Sequence, residues 1–311
     1  MRVDPSLIEP PRTTRQKPEG CSPMNRLALS TAVLLLAGCN TPPRSAAGEA
    51  QAPAPTGPST APAPAGACPA GMVWLPAATF QMGTTEADED AMPGDMPQHA
   101  VKVAAFCMAK TETTVAEYDA CVGAGSCSAV LVVNNPHGHT GVSGRSNHPV
   151  NCVDFAQATA YCEARGARLP TEEEWEYAAR GAAGRKYPWG SAPPDTTRLN
   201  ACDEGCMQLG LKIDVMFETS DGWVSTAPPG TFPKGATPEG LQDMAGNVAE
   251  WTSGRDCPYS DKSCADEKRI TRGGGWDTGM RAGVTGWGRD FGARDPTTRV
   301  SGIGFRCAKT P

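Results

Sequence analysis

The chain has 311 residues, a formal net charge of −6 and 39% hydrophobic residues, which is enough for one sizeable core or two small ones. The acidic balance, with no long run of Lys and Arg, argues against sequence-independent nucleic-acid binding, and no nucleic-acid partner is expected. The 13 cysteines favour an oxidising compartment, because thiols in a reducing cytosol are rarely bridged.

The first part of the chain is typical of a bacterial lipoprotein signal. An apolar run from Leu27 to Ala37 follows a short basic segment and is too short to span a bilayer. The residues LAGC at 36–39 resemble a lipobox, so we predict residues 24–38 to be a signal peptide and Cys39 to be the lipidation site. Residues 1–23 are interpreted as an extension upstream of the true start. Because Asn40 follows the cysteine instead of Asp, we expect a cell-envelope lipoprotein of the outer membrane.

Residues 39–67 are interpreted as the lipidated cysteine followed by a linker rich in Pro and Ala. Such a chain tends to an extended conformation and would reach roughly 80 Å from the lipid. The folded domain is predicted at residues 68–311.

Within that domain, residues 71–75 and 79–83 read as two short strands, and 84–98 as an acidic loop. Residues 99–111 alternate well enough for one or two further strands. Thr113 is the predicted N-cap of a short helix that runs through Cys121.

Two further helices have capping boxes. Asp154 with Gln157 starts one, and Thr171 with Glu174 starts the other. In the second helix Trp175, Ala178 and Ala179 form the predicted buried stripe, and Gly181 ends it. After Gly181 we expect mostly loops and short strands.

Eight segments between residues 72 and 307 carry a family resemblance. They are MVWLPAATFQMG at 72–83, KTETTVAEY at 110–118, HPVNCVD at 148–154, RLPTEEEWEYAARG at 168–181, YPWG at 187–190, DMAGNVAEW at 243–251, RGGGW at 272–276 and GFRC at 304–307. Together they resemble the formylglycine-generating enzyme (sulfatase-modifying factor) family. The resemblance implies an α+β domain of the C-type-lectin-like kind with little regular secondary structure.

The resemblance also implies two bound calcium ions. Hard oxygen ligands of this kind suit calcium, although the second pair of carboxylates can alternatively be read as turn caps. The implied ligands of the first ion are Asn200, the Ala201 carbonyl, Asp221 and the Trp223 carbonyl, and those of the second are Asp243, Glu250 and the carbonyls of Gly246 and Val248.

The copper chemistry of the family is not expected in this chain. Its enzymes hold copper(I) with two cysteine thiolates, which are soft ligands. The corresponding positions hold Thr278 and Gly283, the motif's Ser is Gly275, and Ala249 stands where the family has Trp. We therefore do not expect this chain to generate formylglycine.

Three hypotheses for function remain. The first is a non-catalytic, calcium-stabilised module that binds a peptide, protein or glycan. The second is an oxidoreductase of the family with altered, metal-dependent chemistry on a protein or small molecule, and the third is a structural role in an envelope complex. The groove expected under the first hypothesis is lined by Trp276, Asp277, Thr278, Arg281, Trp287 and Arg289.

The histidines at 137, 139 and 148 could in principle form a transition-metal site. We prefer to interpret residues 137–139 as a polar loop that binds no metal. Among the cysteines, the resemblance implies a bridge between Cys162 and Cys307. Short spacing suggests three local pairs, and Cys107 with Cys152 is a further candidate that leaves Cys68 unpaired. The local pairs are Cys121–Cys127, Cys257–Cys264 and Cys202–Cys206.

Overall fold

The computed structural model describes residues 68–131, 137–138, 142–210, 213–261, 263–289 and 294–311. The predicted signal peptide, the lipidation site at Cys39, the linker and His139 lie outside these ranges. No helix within them is long and apolar enough to cross a membrane.

The described part of the chain contains short strands and helices separated by long irregular connections. The strands are β1 (Met72–Leu75), β2 (Ala78–Met82), β3 (His99–Val103), β4 (Phe106–Ala109), β5 (Ala249–Arg255), β6 (Arg269–Arg272), β7 (Ile303–Gly304) and β8 (Ala308–Lys309). The helices are α1 (Val115–Gly123), α2 (Phe155–Glu163), α3 (Glu172–Arg180), α4 (Glu204–Gln208) and α5 (Arg281–Val284), with 3-10 turns at Pro93–Asp95 and Pro233–Gly235.

The strands form three small sheets. In the first, β4 lies between β1 and β8, so the beginning and the end of the domain share one sheet. The second is the antiparallel pair of β2 and β3. In the third, β5 pairs antiparallel with β6 and parallel with β7. Strands and helices of this mixed, sparse kind are what the sequence predicted.

The helix starts follow the capping signals closely. Asp154 accepts from the backbone N–H of Gln157, and Thr171 from that of Glu174, as predicted. The N-cap of α1 is Thr114, however, and not Thr113. Thr113 uses its own backbone groups to bond the chain elsewhere, donating to the Phe305 carbonyl and accepting from Val150. This tertiary pairing holds Thr113 in extended backbone and delays the helix by one residue.

The core has two main parts, one around α2 and one around α3. Trp175, Ala178 and Ala179 are fully buried, as predicted for the apolar stripe of α3. Glu176 and Arg180 on the same helix are buried as well, which the hydrophobic pattern did not predict. Their burial means that α3 is packed on more than one face.

The disulfides agree with four of the predicted pairs and correct a fifth. Bridges join Cys162–Cys307, Cys121–Cys127, Cys257–Cys264 and Cys202–Cys206. Cys107 is bonded to Cys68, so both the Cys107–Cys152 pair and the unpaired Cys68 were wrong. Cys68 lies just before β1, and the antiparallel pairing of β1 with β4 brings it beside Cys107. Cys152 is a buried free thiol.

Peptide mapping of the non-reduced protein tests this pattern. We expect a linked peptide containing Cys68 and Cys107, and alkylation of Cys152 only after unfolding. Burial raises the pKa of the Cys152 thiol to about 11 and keeps it from reagents, so the reactive thiolate is scarce in the native state. A linked Cys107–Cys152 peptide would contradict the assignment.

Candidate functional site

The glycine turn that follows β6 is the centre of the candidate site. Gly273 and Gly274 have φ values of +92° and +65°, which favour glycine. A Cβ on Gly274 would lie 2.9 Å from the Gly283 carbonyl oxygen and 3.0 Å from Thr278 Oγ1. The fold therefore places Thr278 and Gly283, the two positions at which the resemblance implies copper cysteines in the family, against one glycine.

Neither position offers a ligand to a soft metal. Thr278 is buried, and its Oγ1 accepts a hydrogen bond from the Gly275 N–H at 2.9 Å. Gly283 lies in α5 and has no side chain. In the ranges that the structure describes, no group of three or more His, Cys, Asp or Glu residues is placed to hold a metal ion.

A cavity of about 300 Å³ opens beside Gly283, between α5 and the 3-10 turn at Pro93–Asp95. A neighbouring cavity of about 380 Å³ shares Met92 and Ala282 with it. The first is lined by Met92, Pro93, Gly94, Asp95, Asp256, Ala282, Gly283 and Arg289. The second adds Glu89, Asp90, Met280 and Arg281.

The structure divides the predicted groove residues into two groups. Arg281 and Arg289 line the cavities. Trp276, Thr278 and Trp287 are buried and line neither cavity, which corrects the prediction.

The two tryptophans are held by contacts with residues that do not line the cavities. The Trp276 indole donates to the Ser301 carbonyl at 3.0 Å, and the Arg180 guanidinium lies 5.0 Å from the Trp287 ring. Asp277 is half-buried, with its carboxylate against Gly302.

The sequence reasoning missed the wall formed by the loop before β3. Met92, Gly94 and Asp95 were interpreted only as parts of an acidic loop. The signal available was the Pro-Gly-Asp segment, which is typical of a tight turn. Nothing in it indicated that Asp95 would be buried next to Arg289.

A buried network of ion pairs holds this wall and α3 together. The Glu172 carboxylate accepts from Arg272 at 2.5 Å and from Arg289 Nε at 2.7 Å. Burial alone would raise the pKa of Glu172, but the charges of Arg272 and Arg289 outweigh it and lower the pKa. Asp95 accepts from the Arg289 backbone N–H at 3.1 Å, and burial raises its pKa. Glu172 is thus an ionised partner for two cavity-supporting arginines.

The four residues predicted to bind the first calcium ion lie close together. Asp221 accepts from the Ala201 N–H at 3.1 Å and from the Trp223 N–H at 2.9 Å. Asn200 donates its amide to the Ser225 carbonyl, which leaves its buried Oδ1 without a partner. Burial raises the pKa of Asp221 to about 7. A buried, unpartnered amide oxygen beside a desolvated carboxylate fits a hard cation.

At the second predicted calcium site, more of the carboxylate oxygens are bonded to protein groups than at the first. Asp243 accepts from the Gly230 N–H at 2.5 Å, and burial raises its pKa to about 6. Glu250 accepts three contacts from Arg306 and one from the Trp175 indole, all between 2.6 and 2.8 Å. A carboxylate has about four lone-pair sites, so those of Glu250 are taken.

The two described histidines of the alternative metal cluster pack against different tryptophans. His148 is buried, contacts Thr226 Oγ1 at 3.0 Å and lies edge-on to the Trp223 ring. His137 lies edge-on to Trp276. These contacts favour structural roles for both.

Comparison with known proteins shows which family the chain belongs to. A family model for the sulfatase-modifying factor enzyme 1-like domain matches residues 58–311. The chain belongs to this family. It is 30% identical over 292 residues to the formylglycine-generating enzyme of Streptomyces coelicolor, across 76% of this chain and 88% of that protein.

Two other relatives show how varied the family is. The inactive Cα-formylglycine-generating enzyme 2 of Bos taurus is 38% identical over 178 residues, which is 54% of this chain and about half (52%) of that protein. The structure of PvdO from Pseudomonas aeruginosa superposes with a TM-score of 0.61 at 26% identity, covering 77% of this chain and 94% of PvdO. The fold is that of the formylglycine-generating enzymes, and membership alone does not establish catalysis.

Substituting Glu172→Gln tests the ion-pair network. We expect a loss of about 3–5 kcal/mol in the free energy of unfolding, because Arg272 and Arg289 would be left buried without a full counter-charge. Urea denaturation measures the loss. The control is Glu163→Gln on the exposed face of α2, expected to stay within about 0.5 kcal/mol of the wild type. Equal stabilities of the two variants would disprove the role given to Glu172.

Proposed function

We propose that this sulfatase-modifying-factor domain is a non-catalytic binding module whose ligand enters the cavity beside Gly283. One observation carries the proposal. The fold brings Thr278 and Gly283 together where the family enzymes have thiols, yet the hydroxyl of Thr278 is bonded to the Gly275 N–H and Gly283 has no side chain. The scaffold is kept, and neither of these two positions carries a thiol.

The size and lining of the cavity favour part of a peptide or glycan as the ligand. A volume of about 300 Å³ is at the lower end for ligand pockets and suits one side chain or one sugar unit. Met92, Pro93 and Ala282 supply apolar contact, while Asp256 and Arg289 supply polar groups. The neighbouring cavity continues past Ala282, so an extended ligand has a second place to bind.

The polar wall of the cavity is held rigid before any ligand arrives. Arg289 is bound by Glu172 and lies 4.4 Å from the Tyr259 ring, and its backbone N–H is bound by Asp95. A site whose side chains are already fixed loses less conformational entropy on binding. A preformed polar wall of this kind supports a role in recognition.

We place the domain in the cell envelope, tethered to the outer membrane by lipid on Cys39. The five disulfides among the described residues support an oxidising location. We also propose that calcium stabilises the domain. The unpartnered Asn200 Oδ1 and the buried Asp221 carboxylate support this.

Filling the cavity tests the binding proposal. Ala282→Leu adds bulk to the residue that borders both cavities, so a ligand found by screening peptide and glycan arrays should bind the variant at least about tenfold more weakly. Isothermal titration measures the affinity. Ala120→Leu on the exposed face of α1 is the matched control and should bind normally.

A result of the opposite kind would overturn the proposal. If both arrays gave no ligand, while the purified protein oxidised a cysteine-containing peptide with added copper and oxygen, the chain would be an enzyme. Mass spectrometry of the peptide detects that conversion.

Chelation tests the calcium proposal. At a calcium concentration about 100 times the dissociation constant, one site adds about 2.7 kcal/mol, so EGTA should lower the melting temperature by about 5–10 °C. EGTA already saturated with calcium is the control. An unchanged melting curve would remove calcium from the proposed function.

A further inference from the structure

Two arginines lie side by side at one end of the third sheet. Arg255 on β5 and Arg269 on β6 are directly opposite each other in the antiparallel pairing. Residues paired in this way have Cβ atoms about 5 Å apart and project from the same face of the sheet. On its other side, Arg269 exchanges two backbone hydrogen bonds with Arg294, at 2.8 and 2.9 Å. Like charges placed opposite each other destabilise a sheet, so this arrangement requires an explanation.

Neither Arg255 nor Arg269 is paired with an acid in the described ranges. Arg269 makes no side-chain hydrogen bond or ion pair there, and its buried Nε has no partner. Its guanidinium carbon lies 4.5 Å from the centre of the Phe155 ring, which positions it. The Nη1 group of Arg255 donates to the backbone carbonyls of Ala265 and Asp266, both at 3.2 Å. Both guanidinium groups are therefore held in place while much of their hydrogen-bonding capacity is unused.

The charges around Arg269 do not balance. Burial lowers the pKa of Arg269, and the neighbouring charge of Arg255 lowers it further. The charge of Glu267 acts in the opposite direction, but Glu267 is exposed and forms no ion pair with either arginine. The chain as a whole carries a net charge of −6, so this pair is a positive exception on an acidic protein. An anion would relieve the repulsion between the two arginines.

We propose that Arg255 and Arg269 form a binding site for a phosphate group. Every N–H group of the Arg269 guanidinium is available, and Arg255 keeps those of Nε and Nη2. Arginine binds phosphate through paired, charge-assisted hydrogen bonds. A phosphate group has three acceptor oxygens and a charge of about −1.5 to −2 at pH 7, which matches two guanidinium groups better than a carboxylate does.

The phosphate site is separate from the cavity between α5 and the 3-10 turn. Side chains alternate along a strand, so Arg269 and Arg272 of β6 project from opposite faces of the sheet. Arg272 shares Glu172 with Arg289, which lines the cavity. Arg269 instead packs on Phe155 at the start of α2. The inference therefore does not depend on the ligand proposed for the cavity.

Isothermal titration of the full chain with inorganic phosphate tests the site. The buffer contains no other phosphate, and chloride holds the ionic strength constant so that screening does not change. Arg255→Gln should weaken phosphate binding at least about tenfold, because charge-assisted hydrogen bonds are lost. Arg165→Gln is the matched control and should bind normally, since Arg165 is also exposed and lies over an aromatic ring, but outside the sheet.

Melting curves give a second readout. Without phosphate, Arg255→Gln should melt at or above the wild-type temperature, because one of two opposed positive charges is removed. Added phosphate should raise the melting temperature of the wild type, since a ligand that binds only the folded state stabilises it. It should raise that of Arg255→Gln much less. An equal rise in both proteins would show that phosphate binds elsewhere and would overturn the assignment.

Two probes distinguish the source of the phosphate group. Inorganic phosphate represents a free anion or a phosphate monoester. Glycerophosphoglycerol, the headgroup of phosphatidylglycerol without its acyl chains, represents a lipid. Binding of either probe that Arg255→Gln weakens supports the site and identifies the source. If neither probe binds the wild type, or if Arg255→Gln binds both as tightly as the wild type, the proposed site is wrong.

Discussion

The buried ion pair between Arg306 and Glu250 is the contact on which the rest of the domain depends. Both side chains are almost wholly inaccessible to water. The Arg306 guanidinium also donates to the backbone carbonyls of two separate segments, residues 109–110 and residues 242–243. The Glu250 carboxylate accepts from the Trp175 indole of α3. Removing either partner would leave a buried charge unpaired, which costs several kcal/mol. Three other segments of the chain are held by this one pair of side chains.

A second group of buried ion pairs is centred on the acidic residues of α3 that flank Trp175. Glu176 binds Arg180 and Arg272, and Glu172 binds Arg272 and Arg289. The acidic residues of the segment RLPTEEEWEYAARG are therefore largely internal ligands for arginines. Glu172 and Glu176 are therefore not part of a solvated, charged helix face, although their sequence would suggest one. The glycine turn at 273–275 lies against Trp175. Trp175 is bonded to Glu250 and shares α3 with Glu172 and Glu176, so both groups of ion pairs help to position the turn.

Local signals in the sequence predicted much of the fold. The capping boxes at Asp154 and Thr171 were found because their hydrogen bonds join residues three apart, and the disulfides with short loops were found for the same reason. The N-cap of α1 was misplaced by one residue because Thr113 pairs its backbone with Phe305, which is distant in sequence. Cys68 was left unpaired because its bond to Cys107 depends on β1 meeting β4.

The candidate site was predicted less well than the fold, and for a physical reason. A tryptophan in a glycine-rich segment can form the floor of a groove or lie below it, and its own neighbours in sequence do not decide which. Trp287 is covered because Arg180 reaches over it from α3, and Trp276 because its indole binds the Ser301 carbonyl. Only the assembled structure shows these contacts.

The arrangement explains how the scaffold can persist with no thiol at positions 278 and 283. Thr278 and Gly283 lie on the turn after Gly275 and in α5, and neither takes part in the arrays around Arg306 and Glu172. Loss of thiols at these positions therefore removes no buried ion pair and exposes no arginine. Asp243, which is among the oxygen ligands proposed for calcium, belongs to the other class of position, since its backbone carbonyl accepts from Arg306.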